Sequence, residues 1–471
     1  IPLAMFRFCS SLTTVLFGFV ALNADGRKLV RRIASDGVEA KEVRAHGTRR
    51  VHGSEDLSAL SQSVHWVFVT DCSAYMFNQA NMLLESAYGV GQPGQFTWVT
   101  YGCTREEQKA AVSKFKHPSA NVWHAQAVTL TDPLRGKPYS AFQASNRPVS
   151  LLSWWRATQP KEDAIGIMDP DMFWMRPTVL LDSPNQLAAG HWETYSALPG
   201  RSSAARYGLG CLATRWNYDQ LKQICGAEVE LCVKAKQDET KCTQQYSSGP
   251  PWVLHRADVE KVLGSWMDTA INVHSVWPDL LAEQAAYGMT QMRYKVSSTL
   301  DAFWFLSNTE ANEQPWDAVA KVDWDPCRSR APPPMELSLP PLWHACSTFV
   351  VPGFAMHKDH LHKDLLDCKA PLIHYPPEDA LEKYNGQRGT VQFRNIWSVC
   401  MYTNLVNHYV KIWKTRNCKA PNVEATFSYP AHSATFVDPK SWLALTFRKG
   451  GWSDIDYRAQ GRSLLALISK I

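Results

Sequence analysis

Two carboxylates stand two residues apart in Asp169-Pro170-Asp171, directly after the short apolar run Ala164–Met168. That run is typical of a buried strand, and a proline favours a turn at its end. Two hard oxygen ligands at a strand end suit Mg²⁺ or Mn²⁺, and a cation held there would neutralise the charge that grows on a departing diphosphate. Helix capping or plain surface charge is the other explanation, because an Asp-x-Asp triplet alone is a weak signal.

A histidine far along the chain is a candidate third ligand. His374 follows Pro371-Leu372-Ile373, a segment that we predict to be a strand. Imidazole is a ligand that Mn²⁺ accepts. A structural histidine is the alternative interpretation. The predicted metal centre is therefore Asp169, Asp171 and His374.

Alternating strand and helix patterns precede the paired carboxylates and would position them. We predict helices over 75–88, 104–116 and 149–158. The predicted strands are Val64–Thr70, Gln95–Tyr101, a short one at 122–124, and Ala164–Met168. This order predicts an open, mostly parallel α/β sheet with helices on both faces and ligands beyond the carboxyl ends of the strands. No GxGxxG motif follows the first strand, which disfavours a dinucleotide-binding fold of that sequence type.

Composition excludes several classes of protein. Of the 471 residues, 45% are hydrophobic and 20% are charged, which is ordinary for a globular chain and excludes a mostly disordered one. The formal net charge of +5 is dispersed, so we expect no nucleic-acid partner. The sequence also lacks HExxH and GxSxG, which argues against a metal-dependent or serine hydrolase.

The N-terminal segment has the pattern of a secretory leader. An apolar run from Phe6 to Leu22 carries Arg7 near its start, which predicts over 1–24 either a signal peptide or an uncleaved anchor. Residues 25–63 are polar and charged, as in a stem or linker. We therefore predict a location in the lumen of the endoplasmic reticulum or Golgi, or secretion. The N-terminal anchor is the one contact with a membrane that the sequence suggests.

Cysteine usage agrees with an oxidising compartment. The chain has twelve cysteines, and setting aside Cys9 in the leader leaves eleven, so at least one thiol must stay outside intramolecular disulfides. A cluster within about thirty residues is predicted to staple a loop-rich insertion, with a zinc site as the other interpretation. Its members are Cys211, Cys225, Cys232 and Cys242.

Several short motifs occur in the order in which one family carries them. They are Thr70-Asp71 with Asn78-Gln79, Asn146-Arg147-Pro148, Ile167 to Phe173 with Arg176-Pro177, Pro251 to Asp258, Trp266-Met267, Glu283 to Gly288, Gln314 to Asp317, Leu372 to Tyr375, and Phe393-Arg394. In this the sequence resembles the hydroxyproline O-arabinosyltransferases of plants and algae, and still more the related peptidyl serine α-galactosyltransferases. The resemblance spans about residues 64–400.

The resemblance implies a GT-A-like glycosyltransferase. The fold class is then α/β, with a mostly parallel central sheet flanked by helices and disulfide-stapled loop insertions. The implied catalytic domain is 64–420, with a nucleotide-sugar half at 64–190 and an acceptor half at 191–420. Residues 421–471 form a C-terminal extension that resembles nothing we can name.

Site roles also follow from the resemblance. Asp171 binds the metal, Asp169 binds the metal-bound water or the ribose and takes part in catalysis, and His374 completes the shell. The nucleotide-sugar contacts are Thr70, Asp71, Asn146, Arg147 and Asp169. Glu283 is the candidate catalytic contact with the sugar or the acceptor hydroxyl.

The implied reaction is transfer, with retention of configuration, of galactose or arabinose from a UDP-sugar. The acceptor is serine or hydroxyproline in secreted, proline-rich polypeptides. The implied cofactor is Mn²⁺ or Mg²⁺. The alternative is a catalytically inactive relative that binds carbohydrate or acts as a scaffold in the secretory pathway, although such a protein has no need to keep Asp169, Asp171 and His374 together.

Overall fold

The structure is a computed structural model that describes residues 61–423, apart from 115–119, 126–142, 182–193, 207–209, 352–353, 377–387 and the single positions 196, 280, 313 and 336. The predicted leader at 1–24 lies outside the described residues. So do nearly all of the predicted stem at 25–63 and most of the predicted extension at 421–471. Within the part that the structure describes, no helix combines the length and the apolar character needed to cross a bilayer.

Strands and helices alternate through the first half of the chain. The strands are β1 (Ser61–Gln62), β2 (Val64–Thr70), β3 (Gln95–Tyr101), β4 (Ala120–Ala125), β5 (Ala164–Met168), β6 (Met172–Trp174), β7 (Val179–Leu181), β8 (Thr194–Tyr195), β9 (Arg201–Arg206), β10 (Ser248–His255), β11 (Ser297–Asp301), β12 (Phe305–Leu306), β13 (Leu342–His344), β14 (Phe349–Val351) and β15 (Phe354–Met356). The α-helices are α1 (Ala74–Gly89), α2 (Arg105–Lys114), α3 (Asn146–Thr158), α4 (Tyr218–Cys225), α5 (Val229–Gln237), α6 (Glu239–Tyr246), α7 (Arg256–Val276), α8 (Ala282–Tyr294), α9 (Trp316–Lys321), α10 (Pro326–Ser329) and α11 (Val391–Asn417).

Seven strands form the central sheet, in the order β11-β9-β10-β5-β2-β3-β4. Strand β2 pairs in parallel with β3 and β5, β3 with β4, and β9 with β11, whereas β10 runs antiparallel to both of its neighbours. The sheet is therefore mostly parallel, and the predicted α/β fold class is confirmed. All four strands predicted for the first half of the sheet are present.

Apolar side chains on both faces of the sheet explain why helices cover both. Val67 and Val69 of β2 pack in a cluster with α3, α7 and α8, whereas Trp66 and Phe68 pack on the opposite face with α1. Every residue of β2 is buried, as expected of a strand inside a parallel sheet. A further cluster surrounds the long helix α11.

A glycine sets the spacing at the centre of the sheet. Gly166 of β5 lies directly opposite Trp66 of β2, and the indole lies over it. A Cβ at position 166 would lie 2.2 Å from ring carbon Cε3 of Trp66. The strand that leads to Asp169 therefore packs against the neighbouring indole without a side chain at this position.

Five disulfides staple the described chain. The predicted cysteine cluster forms Cys211–Cys242 and Cys225–Cys232 across α4 to α6, which confirms a disulfide-stapled insertion rather than a zinc site. The other three are Cys72–Cys103, Cys327–Cys400 and Cys368–Cys418. Among the described residues Cys346 is the cysteine outside a disulfide, as the odd count requires.

The segment before His374 is not the strand that the sequence predicts. Asn407 of α11 binds both backbone groups of Ile373: its Oδ1 accepts from the Ile373 N–H at 2.8 Å, and its Nδ2 donates to the Ile373 carbonyl at 2.9 Å. A helix side chain thus satisfies the backbone that a neighbouring strand would otherwise pair with.

Gly166→Ala should destabilise the fold strongly, because the new methyl group must displace a fully buried indole between two central strands. We expect a loss of about 3 kcal/mol in the free energy of unfolding, measured by denaturant titration. Gly264→Ala is the matched control, since nothing beyond its chain neighbours and its own helix backbone lies within 4 Å of its Cβ position in the middle of α7. That variant should gain up to about 1 kcal/mol. Equal effects of the two substitutions would contradict the packing at Gly166.

Removing a disulfide should lower the free energy of unfolding more when that disulfide closes a longer loop. Cys327–Cys400 closes 73 residues and Cys225–Cys232 closes 7. Loop-closure entropy alone makes the first worth about 4 kcal/mol and the second about 2 kcal/mol. Double alanine variants compared by denaturant unfolding should show this order, and the reverse order would contradict it.

Candidate metal centre

Two strand ends meet where the order of the sheet reverses. From β2 the chain proceeds through β3 and β4 on one side and then returns to β5 on the other side of β2. Ligands of open α/β sheets bind in the crevice at such a point. Asp71 follows β2 and Asp169 follows β5, so both carboxylates lie at this edge.

A short antiparallel pairing brings a histidine to these carboxylates. Strand β6 begins directly after Asp171 and pairs with β13, so that Met172 lies opposite His344. The Ala345 N–H also donates to the Asp171 carbonyl at 3.0 Å. His344 is thus fixed beside Asp169-Pro170-Asp171 although it lies more than 170 residues further along the chain.

Three side-chain atoms converge at this place. His344 Nε2 lies 3.3 Å from Asp171 Oδ1 and 3.5 Å from Asp169 Oδ2, and all three residues are buried. Ligands bound at about 2.1 Å in neighbouring octahedral positions lie about 3 Å apart, close to these separations. The two carboxylates suit Mn²⁺ or Mg²⁺, and the imidazole favours Mn²⁺ over Mg²⁺. The residues therefore fit a divalent cation.

The predicted third ligand has to be corrected. His374 does not join Asp169 and Asp171, and His344 takes its place. The reason is the contact of Ile373 with Asn407, which anchors the segment before His374 to α11 instead of to the sheet edge. Burial lowers the pKa of His374, as it does for many structural histidines.

Charged neighbours stabilise the buried ligands. Burial by itself raises the pKa of Asp171, but Lys358 and His344 hold it well below its usual range. Burial by itself lowers the pKa of His344, but Cys346, Asp171 and Asp169 raise it to about 9. Since a metal ligand is the neutral imidazole, a cation that binds here must displace the proton on His344.

Arg147 joins two buried carboxylates. Its guanidinium donates from Nη2 to Asp169 Oδ1 and from Nη1 to Glu283 Oε2 at 3.3 Å, and it lies 5.9 Å from the centre of the Trp252 ring. Arg147 is the second residue of α3, and Glu283 is the second residue of α8. Burial raises the pKa of Glu283 to about 7 although Arg147 lowers it. Three predicted site residues thus form one chain of contacts.

The residues predicted to contact the nucleotide differ in burial and in hydrogen bonding. Thr70 is buried, and its hydroxyl donates to the Asp71 carbonyl and accepts from the Trp98 indole. Thr70 therefore fixes the turn after β2. Asp71 is partly exposed, and its Oδ1 accepts from the Ser73 N–H at the start of α1. Asn146 is the half-buried first residue of α3, next to Arg147.

Two residues of the site were not predicted from the sequence. His344 ends a strand of three residues just after a proline-rich loop, and its one local signal is the apolar pair Leu342-Trp343 that precedes it. Lys358 lies in the 3₁₀ turn Lys358–His360, and its Nζ lies 2.6 Å from Asp171 Oδ2. Burial by itself lowers the pKa of Lys358, but Asp171 raises it above its usual value. Nothing near Lys358 in the sequence indicates this partner.

Glu283→Gln should flatten part of the pH dependence of stability. The folded protein holds a proton on Glu283 up to about pH 7, whereas the unfolded chain releases it near the usual glutamate pKa of about 4.3. This contribution to stability is therefore present below pH 4.3 and is lost as pH rises to 7. The melting-temperature difference, wild type minus variant, should fall between pH 5 and pH 8.

The control for this measurement is Glu260→Gln, because Glu260 is half-exposed and pairs with Arg156 at the surface. Its melting-temperature difference from the wild type should stay level over the same interval. A level difference for Glu283→Gln as well would contradict the shifted pKa.

Comparison with solved structures gives remote similarity to glycosyltransferases. Mouse xyloside xylosyltransferase 1 is 13% identical over 60% of this chain and 98% of its own, with a TM-score of 0.32. The glycosyltransferase GlyE of Streptococcus pneumoniae is 12% identical over 60% of this chain and 55% of its own, with a TM-score of 0.32. The galactosyltransferase LgtC, solved with donor and acceptor sugar analogs, is 12% identical over 60% of this chain and 87% of its own, with a TM-score of 0.28. TM-scores this low carry no argument about fold or function.

Comparison with known sequences gives a nearer relative. No family model matches the chain. A peptidyl serine alpha-galactosyltransferase of Chlamydomonas reinhardtii is 30% identical over 146 residues, which are 31% of this chain and 19% of that protein. The match thus spans about a fifth of the length of this relative. It confirms, over about a third of the chain, the resemblance that the ordered motifs show.

Proposed function

We propose that this chain is a metal-dependent glycosyltransferase of the GT-A type that transfers a sugar from a UDP-sugar. The observation that carries the proposal is the convergence of Asp169, Asp171 and His344 at the point where the sheet order reverses. A nucleotide diphosphate and a divalent cation are a natural pair of ligands for such a crevice. The similarity to a peptidyl serine alpha-galactosyltransferase supports the same reaction class.

Each residue of the site has a separate proposed role. A divalent cation held by Asp169, Asp171 and His344 would act as a Lewis acid toward the charge of the diphosphate. Arg147 fixes the orientation of Asp169 through its Oδ1 and leaves Oδ2 facing His344. Glu283 pairs with the other terminal nitrogen of the Arg147 guanidinium. We propose that Glu283 contacts the sugar or the acceptor hydroxyl from this position.

The crevice mouth is proposed as the nucleotide pocket. Asp71 offers a partly exposed carboxylate there, and Thr70 fixes the turn that carries it. The disulfide Cys72–Cys103 ties this turn to the turn after β3, which restricts movement of the mouth. Asn146 lies at the start of α3 beside Arg147 and completes the proposed set of nucleotide-sugar contacts.

The finer assignment is galactose or arabinose as the sugar, transferred with retention of configuration to serine or hydroxyproline of secreted, proline-rich polypeptides. Its support is the name of the relative and the ordered motifs. The five disulfides support maturation in the secretory pathway. A serine-rich and a hydroxyproline-rich peptide, offered with UDP-galactose and UDP-arabinose, test these assignments by mass spectrometry.

Each result of that assay has a distinct meaning. Transfer that requires Mn²⁺ supports the proposal, and the labelled residue identifies the acceptor. Mn²⁺-dependent binding of UDP without transfer to any acceptor favours the inactive, carbohydrate-binding alternative. Absence of UDP binding with and without Mn²⁺ would contradict the proposed nucleotide site.

Asp171→Asn should abolish the metal-dependent part of nucleotide binding. The amide keeps the shape of the side chain but removes the charge that a hard cation needs. Loss of residues outside the ligand shell already costs about 10–100-fold in metal affinity, so we expect more than about 100-fold here. Calorimetry of UDP with and without Mn²⁺ measures this. The control Asp364→Asn changes a largely exposed carboxylate and should bind as the wild type does.

A further inference from the structure

The two aspartates of the metal centre are held in the same way. Arg147 binds Asp169 through Oδ1, and Lys358 binds Asp171 through Oδ2 at 2.6 Å. The second oxygen of each aspartate faces His344 Nε2. Each carboxylate therefore has one oxygen on a cationic side chain and one oxygen directed at the centre of the ligand group.

Lys358 is positioned by its own neighbours. Asp359, the next residue, accepts a hydrogen bond from the Tyr75 hydroxyl at 2.7 Å. Asn78 donates to the carbonyls of His362 and Lys363, at 3.1 Å each. Tyr75 and Asn78 belong to α1, which starts just after the turn that carries Asp71. The segment with Lys358 is thus docked on the same helix that borders the crevice.

The Lys358 side chain is less enclosed than the carboxylate that it contacts. It is 28% exposed, whereas the side chain of Asp171 is 5% exposed. An ammonium with three donors needs partners beyond one carboxylate oxygen. Among the described residues Asp171 Oδ2 is the hydrogen-bond partner of Lys358 Nζ, so its other N–H groups can donate to a second anion that enters the crevice.

A bound cation makes the centre more positive. Arg147 and Lys358 already offset the charges of Asp169 and Asp171. A divalent cation brings two positive charges and displaces at most the one proton on His344. Unbalanced buried charge is costly, so the loaded centre favours an additional anion.

We propose that Lys358 couples the binding of the divalent cation to the binding of a diphosphate. Alone, the ammonium repels a cation at Asp171 and weakens its binding. When a diphosphate is present, the ammonium gains a second anionic partner and the repulsion is offset. The inference rests on the proposed function, which supplies the nucleotide diphosphate. Coupling of this kind is reciprocal, so each ligand raises the affinity for the other by the same factor.

Calorimetry on the full chain measures this factor directly. Mn²⁺ is titrated alone and with saturating UDP, and UDP is titrated alone and with saturating Mn²⁺. Typical coupling spans about 5–150-fold, and we expect the wild type to fall in this range. A wild-type factor of one would overturn the proposal without the use of any variant.

Lys358→Met isolates the ammonium. Mn²⁺ alone should bind this variant more tightly than the wild type, UDP should bind it more weakly in the presence of Mn²⁺, and the coupling factor should fall toward one. Lys358→Arg keeps the charge and should retain most of the coupling.

Lys363→Met is the matched control, because Lys363 is an exposed lysine of the same segment whose backbone alone contacts Asn78. A merely structural role would weaken Mn²⁺ and UDP binding together, and that result would overturn the proposal.

Inorganic diphosphate separates this inference from the proposed function. Coupling of Mn²⁺ with diphosphate that is lost in Lys358→Met supports the role of Lys358, even if UDP binds no better than diphosphate and the nucleotide assignment fails. Strong Mn²⁺-dependent UDP binding with unchanged coupling in Lys358→Met supports the nucleotide site and overturns the role of Lys358. No Mn²⁺ binding to any form overturns both.

Discussion

Buried charge at the sheet edge must be balanced, and this requirement governs how the site is built. Asp169, Asp171 and Glu283 are almost fully buried, and isolated carboxylates in such surroundings would be strongly destabilising. Arg147 and Lys358 offset that charge, each from a different element of the chain. Holding a divalent cation is a task that uncharged residues cannot perform, and it fits the geometry of Asp169, Asp171 and His344.

The fold supplies this arrangement by bringing distant segments to one edge. The parallel pairing of β2 and β5, made possible by Gly166 against Trp66, sets the two strand ends side by side. The pairing of β6 with β13 then adds His344, and α1 docks the turn that carries Lys358. The site therefore takes its carboxylates from the ends of central strands and depends on long-range contacts for its histidine and its lysine.

Sequence reasoning succeeded where the signal is local. The four strands of the parallel half are short segments rich in apolar, β-branched and aromatic side chains, a composition that favours a buried strand. Asp169-Pro170-Asp171 follows one of them, so its place at the sheet edge was predictable. His344 and His374 each follow an apolar pair, and the choice between them depends on whether β6 or Asn407 of α11 pairs with the segment. Lys358 has no local signal at all, because its partner is set by packing on α1.

An anomalous difference map from crystals grown with MnCl₂ and UDP would locate the bound metal. We predict one manganese peak bound by Asp169, Asp171 and His344, at about 2.0–2.2 Å from the ligand atoms, with the diphosphate beside it. A peak elsewhere, or a manganese ion bound by His374 instead of His344, would rule out this metal centre.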